Sequence, residues 1–328
     1  MSLHAVLDAL AGTDPVPMSE LARRTGLARA AIATQVARAR ALGIRIESRR
    51  GVGYRLSAPL DLLDAVALRR ALPAASRRLL AGLDVVPTID STNSELLRCA
   101  ADGAPSGTVL LAEHQGAGRG RRGRAWQSPF GAQVCLSILW RFPRGTAALG
   151  GLSLAVGVAV QRAIAQLGSG ATALKWPNDV VAGERKLAGV LVEAGGEPTG
   201  PCHAVVGVGL NARLTAAQGA AIDQPWTDLA TLLGTAMPAR TQVAATLVGA
   251  LLPTLEQFAL EGLAPFLPEW RAHDALAGRE VDLHEGPDQQ TAMVLGIDAQ
   301  GLLRVRDRAG RERALASAGF SVRPIPGD

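Results

Sequence analysis

Lysine is almost absent from this 328-residue chain, although cationic residues are common. Of its 34 lysine and arginine residues, only Lys175 and Lys186 are lysines, and they stand eleven positions apart. Lysine carries a compact ammonium and arginine a planar fork of donors, so a site that needs an ammonium resists the exchange. Asparagine is equally scarce, occurring only as Asn93, Asn178 and Asn211. We interpret these two lysines and three asparagines as positions where the chemistry of a site requires that residue type.

Cysteines and long apolar runs are also few, which argues against two classes of protein. Cys99, Cys135 and Cys202 are odd in number and widely spaced, so they indicate neither a disulfide framework nor a metal site. The start of the chain lacks the basic and apolar segments of a signal peptide. The longest uncharged run, between Arg144 and Arg162, contains glycines and is shorter than the ~20 apolar residues of a membrane span. We therefore expect a cytoplasmic protein without a membrane segment, in which this run forms a buried helix over residues 147–167.

The excess positive charge is confined to one end. Residues 1–57 hold nine arginines against four acidic residues, which accounts for the whole formal charge of +5. This distribution indicates that the N-terminal region meets a polyanion such as DNA.

The same region has the pattern of a winged helix-turn-helix. Residues 3–11 have helical spacing, Ser19 is predicted to cap a second helix that ends at Gly26, and residues 28–40 form a third. Two short alternating segments, 44–48 and 54–56, then form a hairpin as the wing. We expect the DNA-facing residues to be Arg29, Thr34, Gln35, Arg38, Arg49 and Arg50. A small helical protein-interaction module is the alternative.

The remaining chain divides into two regions. Between residues 59 and 273, strands alternate with helices without a regular βαβ rhythm, which favours an α+β domain with a mixed sheet. From residue 274 to 328, short strands separated by turns are typical of a small β-barrel. We therefore predict three domains, 1–58, 59–273 and 274–328.

Residues 116–126 alternate glycine and arginine and end in Trp126. Glycine allows a backbone to approach a ligand closely, and arginine offers a fork of donors to phosphate or carboxylate. This composition favours a loop that orders around an anionic small molecule, and we call residues 116–126 the arginine loop. A solvated basic loop or a nucleic-acid patch remains the alternative.

Five motifs in order make the chain resemble the biotin–protein ligases, most closely the bifunctional bacterial type that also represses the biotin operon. They are Ser91-Thr92-Asn93, the arginine loop, and the segments 175–179 (KWPND), 185–193 (RKLAGVLVE) and 207–211 (GVGLN). The resemblance implies a class II synthetase-like central domain and an SH3-like C-terminal domain. It implies a reaction of biotin and ATP that gives biotinyl-5'-AMP, with Mg²⁺ on the polyphosphate and no fixed protein metal site.

The resemblance also implies partners and a second function. Biotin would pass to a lysine of the biotin carboxyl carrier protein of acetyl-CoA carboxylase. Biotinyl-AMP would promote a homodimer that binds operator DNA of biotin genes and represses them.

The site residues carried over by the motifs fall into three groups. A catalytic group would comprise Arg119, Arg121, Asp179 and Lys186. Biotin and its adenylate would meet Ser91, Thr92, Asn93, Gln115, Gly118, Arg119, Gly120, Arg121, Lys186 and Gly189. The nucleotide would meet Arg124, Trp126, Asn178, Asn211 and Arg323. At Gly116 the chain departs from the family, which usually has a polar residue there.

Simpler explanations exist for some of these residues and for the whole. Helix capping alone explains Ser91 or Thr92, and a buried ion pair would retain Lys175. A transcription factor that senses a small acid without ligating it is one rival, but it would not need Lys186, Asn178 and Asp179 together. A lipoate-type protein ligase is another, but it would need a long apolar tunnel instead of a polar cap.

Overall fold

A computed structural model describes residues 2–12, 14–285, 288–317 and 319–325 of the chain. The N-terminal unit is a winged helix-turn-helix, as predicted. Its elements are α1 (Ser2–Ala9), α2 (Met18–Thr25), α3 (Arg29–Ala41), β1 (Ile46–Arg49) and β2 (Gly53–Leu56).

The start of α2 differs from the prediction. The helix begins at Met18 behind an extended Pro17 and has no side-chain cap, so the assignment of Ser19 as the cap is wrong. Val16 forms an antiparallel bridge to Tyr54 in the wing, which fixes the backbone just before the helix. Gly53 permits this contact, because a Cβ there would lie 2.2 Å from the carbonyl oxygen of Val16. A contact distant in sequence therefore sets this helix boundary.

The central unit is built on a seven-stranded sheet of order β3-β4-β5-β9-β8-β7-β6. Strands β3 and β4 are parallel and all other neighbours are antiparallel, which confirms the predicted mixed sheet. The strands are β3 (Gly82–Val86), β4 (Thr108–Ala112), β5 (Gln133–Phe142), β6 (Ala173–Lys175), β7 (Asp179–Ala182), β8 (Arg185–Gly196) and β9 (Cys202–Asn211).

Helices cover both faces of this sheet. They are α4 (Ala65–Ala71), α5 (Ala74–Arg77), α6 (Thr92–Ala101), α7 (Leu152–Gln166), α8 (Ala216–Gly219), α9 (Leu229–Leu233), α10 (Arg240–Glu261) and α11 (Leu267–Ala272). Alternate residues of one strand face opposite ways, so Leu139 packs on α6 while Ile138 joins the core beneath α7 and α10. The N-terminal end of α6 lies on the opposite side of the sheet from the two long helices.

The buried helix predicted over residues 147–167 begins later than expected. Residues Thr146–Leu149 form a 3₁₀ turn, and α7 starts only at Leu152. Gly151 separates the two segments with a φ of +80°, and a Cβ there would lie 2.5 Å from Leu263. Tight packing against Leu263 thus determines where the helix begins.

Two helical segments are long and apolar enough to cross a membrane, Thr146–Gln166 and Arg240–Glu261. Both are mostly buried within the protein, as core helices of folded domains are. Their apolar character is explained by their place against the central sheet.

The C-terminal unit has five antiparallel strands of order β13-β12-β11-β10-β14, the arrangement expected of a small SH3-like barrel. They are β10 (Glu280–Glu285), β11 (Asp288–Ile297), β12 (Leu303–Asp307), β13 (Glu312–Leu315) and β14 (Ser321–Pro324). The unit is joined to the central one by a hydrogen bond of 3.0 Å from the Trp176 indole to the Gly301 carbonyl. Burial raises the pKa of Asp274, at the junction of the two units, to about 6.

A buried ion pair connects the arginine loop to the segment between the first two units. Arg240 and Glu113 have side chains exposed by only 2% and 0%, and Nη1 lies 2.8 Å from Oε2. Arg240 also donates to the Gln133 carbonyl at 2.7 and 3.2 Å and to the Asp61 carbonyl. Glu113 accepts a hydrogen bond of 2.6 Å from the Leu63 amide. The pair thus holds together the two ends of the loop, at residues 113 and 133, and the connecting segment 61–63.

A second contact joins the same regions. Phe130, near the end of the loop, is 5% exposed and belongs to the apolar core of the N-terminal unit. Leu60 and Leu62 pack beside that core. The N-terminal unit is therefore attached through the loop as well as through the chain.

We predict that Arg240→Met lowers the free energy of unfolding by about 3–5 kcal/mol, because it leaves the Glu113 carboxylate buried without a partner. The double change Arg240→Met/Glu113→Leu should be less destabilised than Arg240→Met. Arg78→Met, which removes an exposed pair with Glu256, is the control and should cost little. Urea unfolding followed by circular dichroism measures all three, and equal losses for Arg240→Met and the control would contradict the prediction.

Candidate active site and nucleic-acid interface

The arginine loop is folded as a small hairpin. Arg119 and Ala125 form an antiparallel bridge, and the Trp126 amide donates to the Gly118 carbonyl at 2.8 Å. Gly118 is required there, since a Cβ would lie 2.7 Å from the Trp126 carbonyl oxygen. Arg122 at the tip has a φ of +57°, the one positive value at a described residue other than glycine. The hairpin sends Arg119 and Arg121 to different neighbours.

Trp126 lies on a floor made by two glycines. Gly189 of β8 and Gly209 of β9 are direct register partners, and a Cβ on Gly209 would lie 2.5 Å from the Trp126 ring. The indole donates to the Gln133 side chain at 3.0 Å, which fixes the ring. The Lys186 ammonium lies 5.6 Å from the ring centroid, close enough for a cation–π contact.

The two lysines meet around one carboxylate. Lys186 Nζ is 2.8 Å from Asp179 Oδ1, and both side chains are less than 20% exposed. That oxygen is buried, and the Lys186 ammonium is its ion-pair partner among the described residues. Lys175 is the register partner of Asp179 on β6. Burial lowers the pKa of Lys175; Asp179 opposes this shift, while Lys186 and Arg323 add to it.

A polar cap forms where α6 begins beside the loop. Ser91 is the N-cap and accepts from the Ser94 amide at 3.4 Å, so the capping explanation of this residue is confirmed. Thr92 donates through its amide and hydroxyl to the Gln115 side chain at 2.8 and 3.1 Å. Ser137, fully buried on β5, bonds to the Thr92 hydroxyl at 2.7 Å. Asn93 and Arg119 reach the edge of this cap and meet at Glu193.

Arg121 and Asn178 connect the arginine loop to its surroundings. Arg121 is half-buried and donates to the Ser317 carbonyl of the C-terminal unit and, at 3.5 Å, to Asn178. Burial lowers the pKa of Arg121, and repulsion from Arg122 adds to the effect. Asn178 also donates to the Val190 carbonyl at 2.7 Å.

Asn211 is buried and occupied by the protein itself. Its amide nitrogen donates to the carbonyls of Thr227 and Lys186, and its oxygen accepts from Gln133. We call the space between the arginine loop, the start of α6 and the Lys186–Asp179 pair the cleft. In this conformation Asn211 holds the backbone of Lys186 instead of presenting its amide to the cleft.

Three further predicted residues lie around the edge of this cluster. Arg124 and Arg323 are exposed, the latter on β14 opposite Asp282. Gly120 serves the hairpin through its amide, which donates to the Arg124 carbonyl. At Gly116, where the chain departs from the family, the amide donates to the Ile89 carbonyl, an interaction that needs no side chain.

The predicted DNA-facing residues divide into two groups. Arg29, Thr34, Arg49 and Arg50 are exposed as expected, and Ile32, Val36 and Ala39 are buried beneath them. Gln35 is only half-buried, but its side-chain oxygen is buried and has no hydrogen-bond partner among the described residues. Arg38 does point outward, but donates at 2.6 Å to Thr88 of the central unit. The N-terminal end of α3 and the wing are therefore the accessible basic surface.

Several residues that shape the site were not found from the sequence. Gly209 lay within a recognised motif but was not assigned a role. Glu193, the last residue of the 185–193 motif, was likewise given no role, and Gln133, Ser137 and Arg240 belong to no recognised motif and have partners distant in sequence. Among the described residues, no group of three or more His, Cys, Asp or Glu side chains could hold a metal ion.

Comparison with known proteins accounts for both parts of this arrangement. The Biotin/lipoate A/B protein ligase family matches residues 85–211, and an HTH domain matches residues 3–55. The bifunctional ligase/repressor BirA proteins of Salmonella typhimurium and Escherichia coli are each 38% identical to this chain over 87% of its length and 86% of theirs. A biotin–acetyl-CoA-carboxylase ligase of Mycobacterium tuberculosis is 39% identical over 73% of this chain and 88% of its own.

A solved structure resembles three quarters of the chain. The biotin protein ligase from Aquifex aeolicus, in complex with biotin and ATP, superposes with a TM-score of 0.63 and 26% identity. The match covers 75% of this chain and all of the Aquifex chain.

We predict that Gly209→Ala displaces the Trp126 ring and loosens the arginine loop, at a cost typical of overpacking, about 1–3 kcal/mol. Trypsin cleavage after the loop arginines, followed by mass spectrometry, should be faster than in the unaltered protein. Gly170→Ala is the control, because a Cβ there meets nothing within 4 Å. Equal cleavage rates in the two variants would show that the glycine floor does not hold the loop.

Proposed function

This chain belongs to the family of bifunctional biotin–protein ligases and repressors, and from that premise we propose how its own residues divide the work. The protein activates biotin with ATP and transfers it to a lysine of the biotin carboxyl carrier protein of acetyl-CoA carboxylase. The observation that carries this proposal is the meeting of both lysines of the chain around Asp179, beside Trp126 and the arginine loop.

The polar cap is suited to the ring of biotin. An ureido group has a carbonyl that accepts hydrogen bonds and two N–H groups that donate them. Buried Ser91 and Thr92 and half-buried Gln115 supply hydroxyl and amide groups of both kinds. A lipoyl ring has no such group, so the cap favours biotin over the lipoate-type alternative.

The first chemical step is attack of the biotin carboxylate on the α-phosphorus of ATP. A carboxylate oxygen–phosphorus bond forms, the bond to the β-phosphate breaks, and pyrophosphate leaves. Negative charge grows on the oxygens around phosphorus, so catalysis consists of positioning and of cations aimed at these oxygens. We assign this role to Lys186, Arg119 and Arg121, with Trp126 beside the nucleotide. Mg²⁺ would neutralise the polyphosphate, held by ATP itself.

The second step is attack of the carrier lysine on the acyl carbon of biotinyl-AMP, giving an amide and AMP. The adenylate reacts with water, so it must be covered between the two steps. The arginine loop is placed to do so, since Arg121 already contacts Ser317 across the cleft. Asp179 is the candidate to receive the proton of the attacking amine. The amine must arrive neutral, and Asp179 supplies a carboxylate beside Lys186 that could accept its proton.

The repressor function uses the other half of the molecule. We infer that two copies bind a two-fold operator, since one small domain makes few phosphate contacts. The free edge of β8 is the proposed dimer surface: β7 pairs with β8 only as far as Gly189, so residues 190–196 extend past β7. Ordering of the arginine loop around biotinyl-AMP would complete this surface. Ligand binding would thereby be coupled to dimer formation.

We predict that Lys186→Arg loses about 100- to 1,000-fold in biotin-dependent exchange of pyrophosphate into ATP, the usual effect of removing one charge-stabilising donor. The larger guanidinium cannot take the place of an ammonium packed this tightly, since a Cβ on Gly189 would lie only 3.2 Å from Nζ. Arg185→Lys, at the exposed neighbouring position, is the control. Near-normal exchange by Lys186→Arg would refute a specific need for the ammonium.

We also predict that biotin with ATP shifts the protein from monomer to dimer in sedimentation and increases its affinity for DNA upstream of biotin genes. Arg29→Ala and Arg50→Ala should weaken DNA binding but leave pyrophosphate exchange intact, because both lie outside the ligase cleft. If the substrates change neither mass nor DNA affinity, the repressor proposal fails. If exchange is also absent, the ligase proposal fails with it.

A further inference from the structure

Glu193 is an acidic residue at the edge of the cleft with no role in the reaction assigned above. It lies on β8, and its side chain is 25% exposed. One carboxylate oxygen, Oε2, accepts two hydrogen bonds, from Arg119 Nη2 at 3.0 Å and from Asn93 Nδ2 at 2.8 Å. A single acceptor atom therefore connects the arginine loop to the start of α6.

The first of these contacts fixes one corner of the Arg119 guanidinium. Nη2 donates to Glu193 and also to the Ser94 hydroxyl at 3.1 Å. Within the described residues the other guanidinium nitrogens of Arg119 form no hydrogen bond, and the side chain is 42% exposed. A guanidinium is a rigid plane, so fixing one corner orients the remaining donors. Those donors stay available to an anion in the cleft.

The second contact continues into the polar cap. Asn93 is 3% exposed, and its oxygen accepts from the Ser137 hydroxyl at 2.6 Å. Ser137 Oγ also lies 2.7 Å from the Thr92 hydroxyl oxygen. The space for the Asn93 amide exists only because residue 207 is glycine, where a Cβ would lie 2.3 Å from the Asn93 oxygen.

We propose that Glu193 is a positioning residue that holds the arginine loop at a fixed distance from the polar cap. The carboxylate of biotin then contacts Arg119 while its ring contacts Thr92. This inference rests on the proposed ligase function for the identity of the ligand. The charge and both lone pairs of Glu193 are needed. One carboxylate oxygen accepts from both partners through its two lone pairs, and its negative charge strengthens the hydrogen bond from the Arg119 guanidinium.

The proposal is tested by biotin affinity in calorimetry together with steady-state kinetics. Glu193→Ala should weaken biotin binding and raise KM for biotin on the order of tenfold, the scale of a hydrogen bond to a charged group, and lower kcat less. Without substrates, trypsin should cleave the loop faster, because Arg119 is no longer held. Glu197→Ala removes an exposed charge just after the same strand and should change none of these values.

A cycle of double variants separates positioning from a general structural role. In an Arg119→Ala or an Asn93→Ala chain, Glu193→Ala should cost less than it does alone, since one of its two partners is already missing. Additive losses in both backgrounds, or an effect equal to that of Glu197→Ala, would overturn the proposal. Faster loop cleavage in Glu193→Ala would support the contact even in a protein without pyrophosphate exchange, so the two proposals fail separately.

Discussion

The buried ion pair of Arg240 and Glu113 is the contact on which the arrangement of this protein depends. A polar loop of this length has no core of its own, so its shape must be imposed at its ends. Arg240 bonds to Glu113, where the loop starts, and to the Gln133 carbonyl, where it finishes. The same guanidinium bonds to the Asp61 carbonyl in the segment that leads from the DNA-binding unit. One buried charge thus joins loop, sheet and connecting segment, and neither partner can be removed alone without leaving an unpaired charge.

Short chains of hydrogen bonds connect this ion pair to the residues of the candidate site. The Gln133 side chain accepts a hydrogen bond from the Trp126 indole and donates one to Asn211, which in turn donates to the Lys186 carbonyl. At the other end of the loop, Gln115 fixes Thr92. The groups proposed to contact the nucleotide and the biotin ring are therefore held by one framework around the Arg240–Glu113 pair. Phe130, inserted in the core of the N-terminal unit, extends that framework to the winged helix. This gives a physical route by which closing the loop changes how the DNA-binding unit is held.

The sequence was most informative where a residue type is needed by chemistry and least where contacts cross the fold. Scarcity singled out both lysines and all three asparagines, and they lie in or beside the cleft. The order of motifs predicted the three-part fold. The start of α2 and the start of α7 were misplaced because Val16–Tyr54 and Gly151–Leu263 contacts determine them. Arg240, Gln133 and Glu193 each have a partner more than sixty residues away in the chain, and a local sequence pattern does not identify such partners.

The central claim is that one loop, anchored by the Arg240–Glu113 pair, both covers the adenylate and communicates with the DNA-binding unit. Amide hydrogen exchange of the full chain, with and without biotin and ATP, tests it most directly. The account predicts slower exchange on ligand binding in residues 116–128 and also in the connecting segment 60–64. Protection of the loop alone, with exchange in residues 60–64 unchanged, would contradict the mechanical link between the two functions.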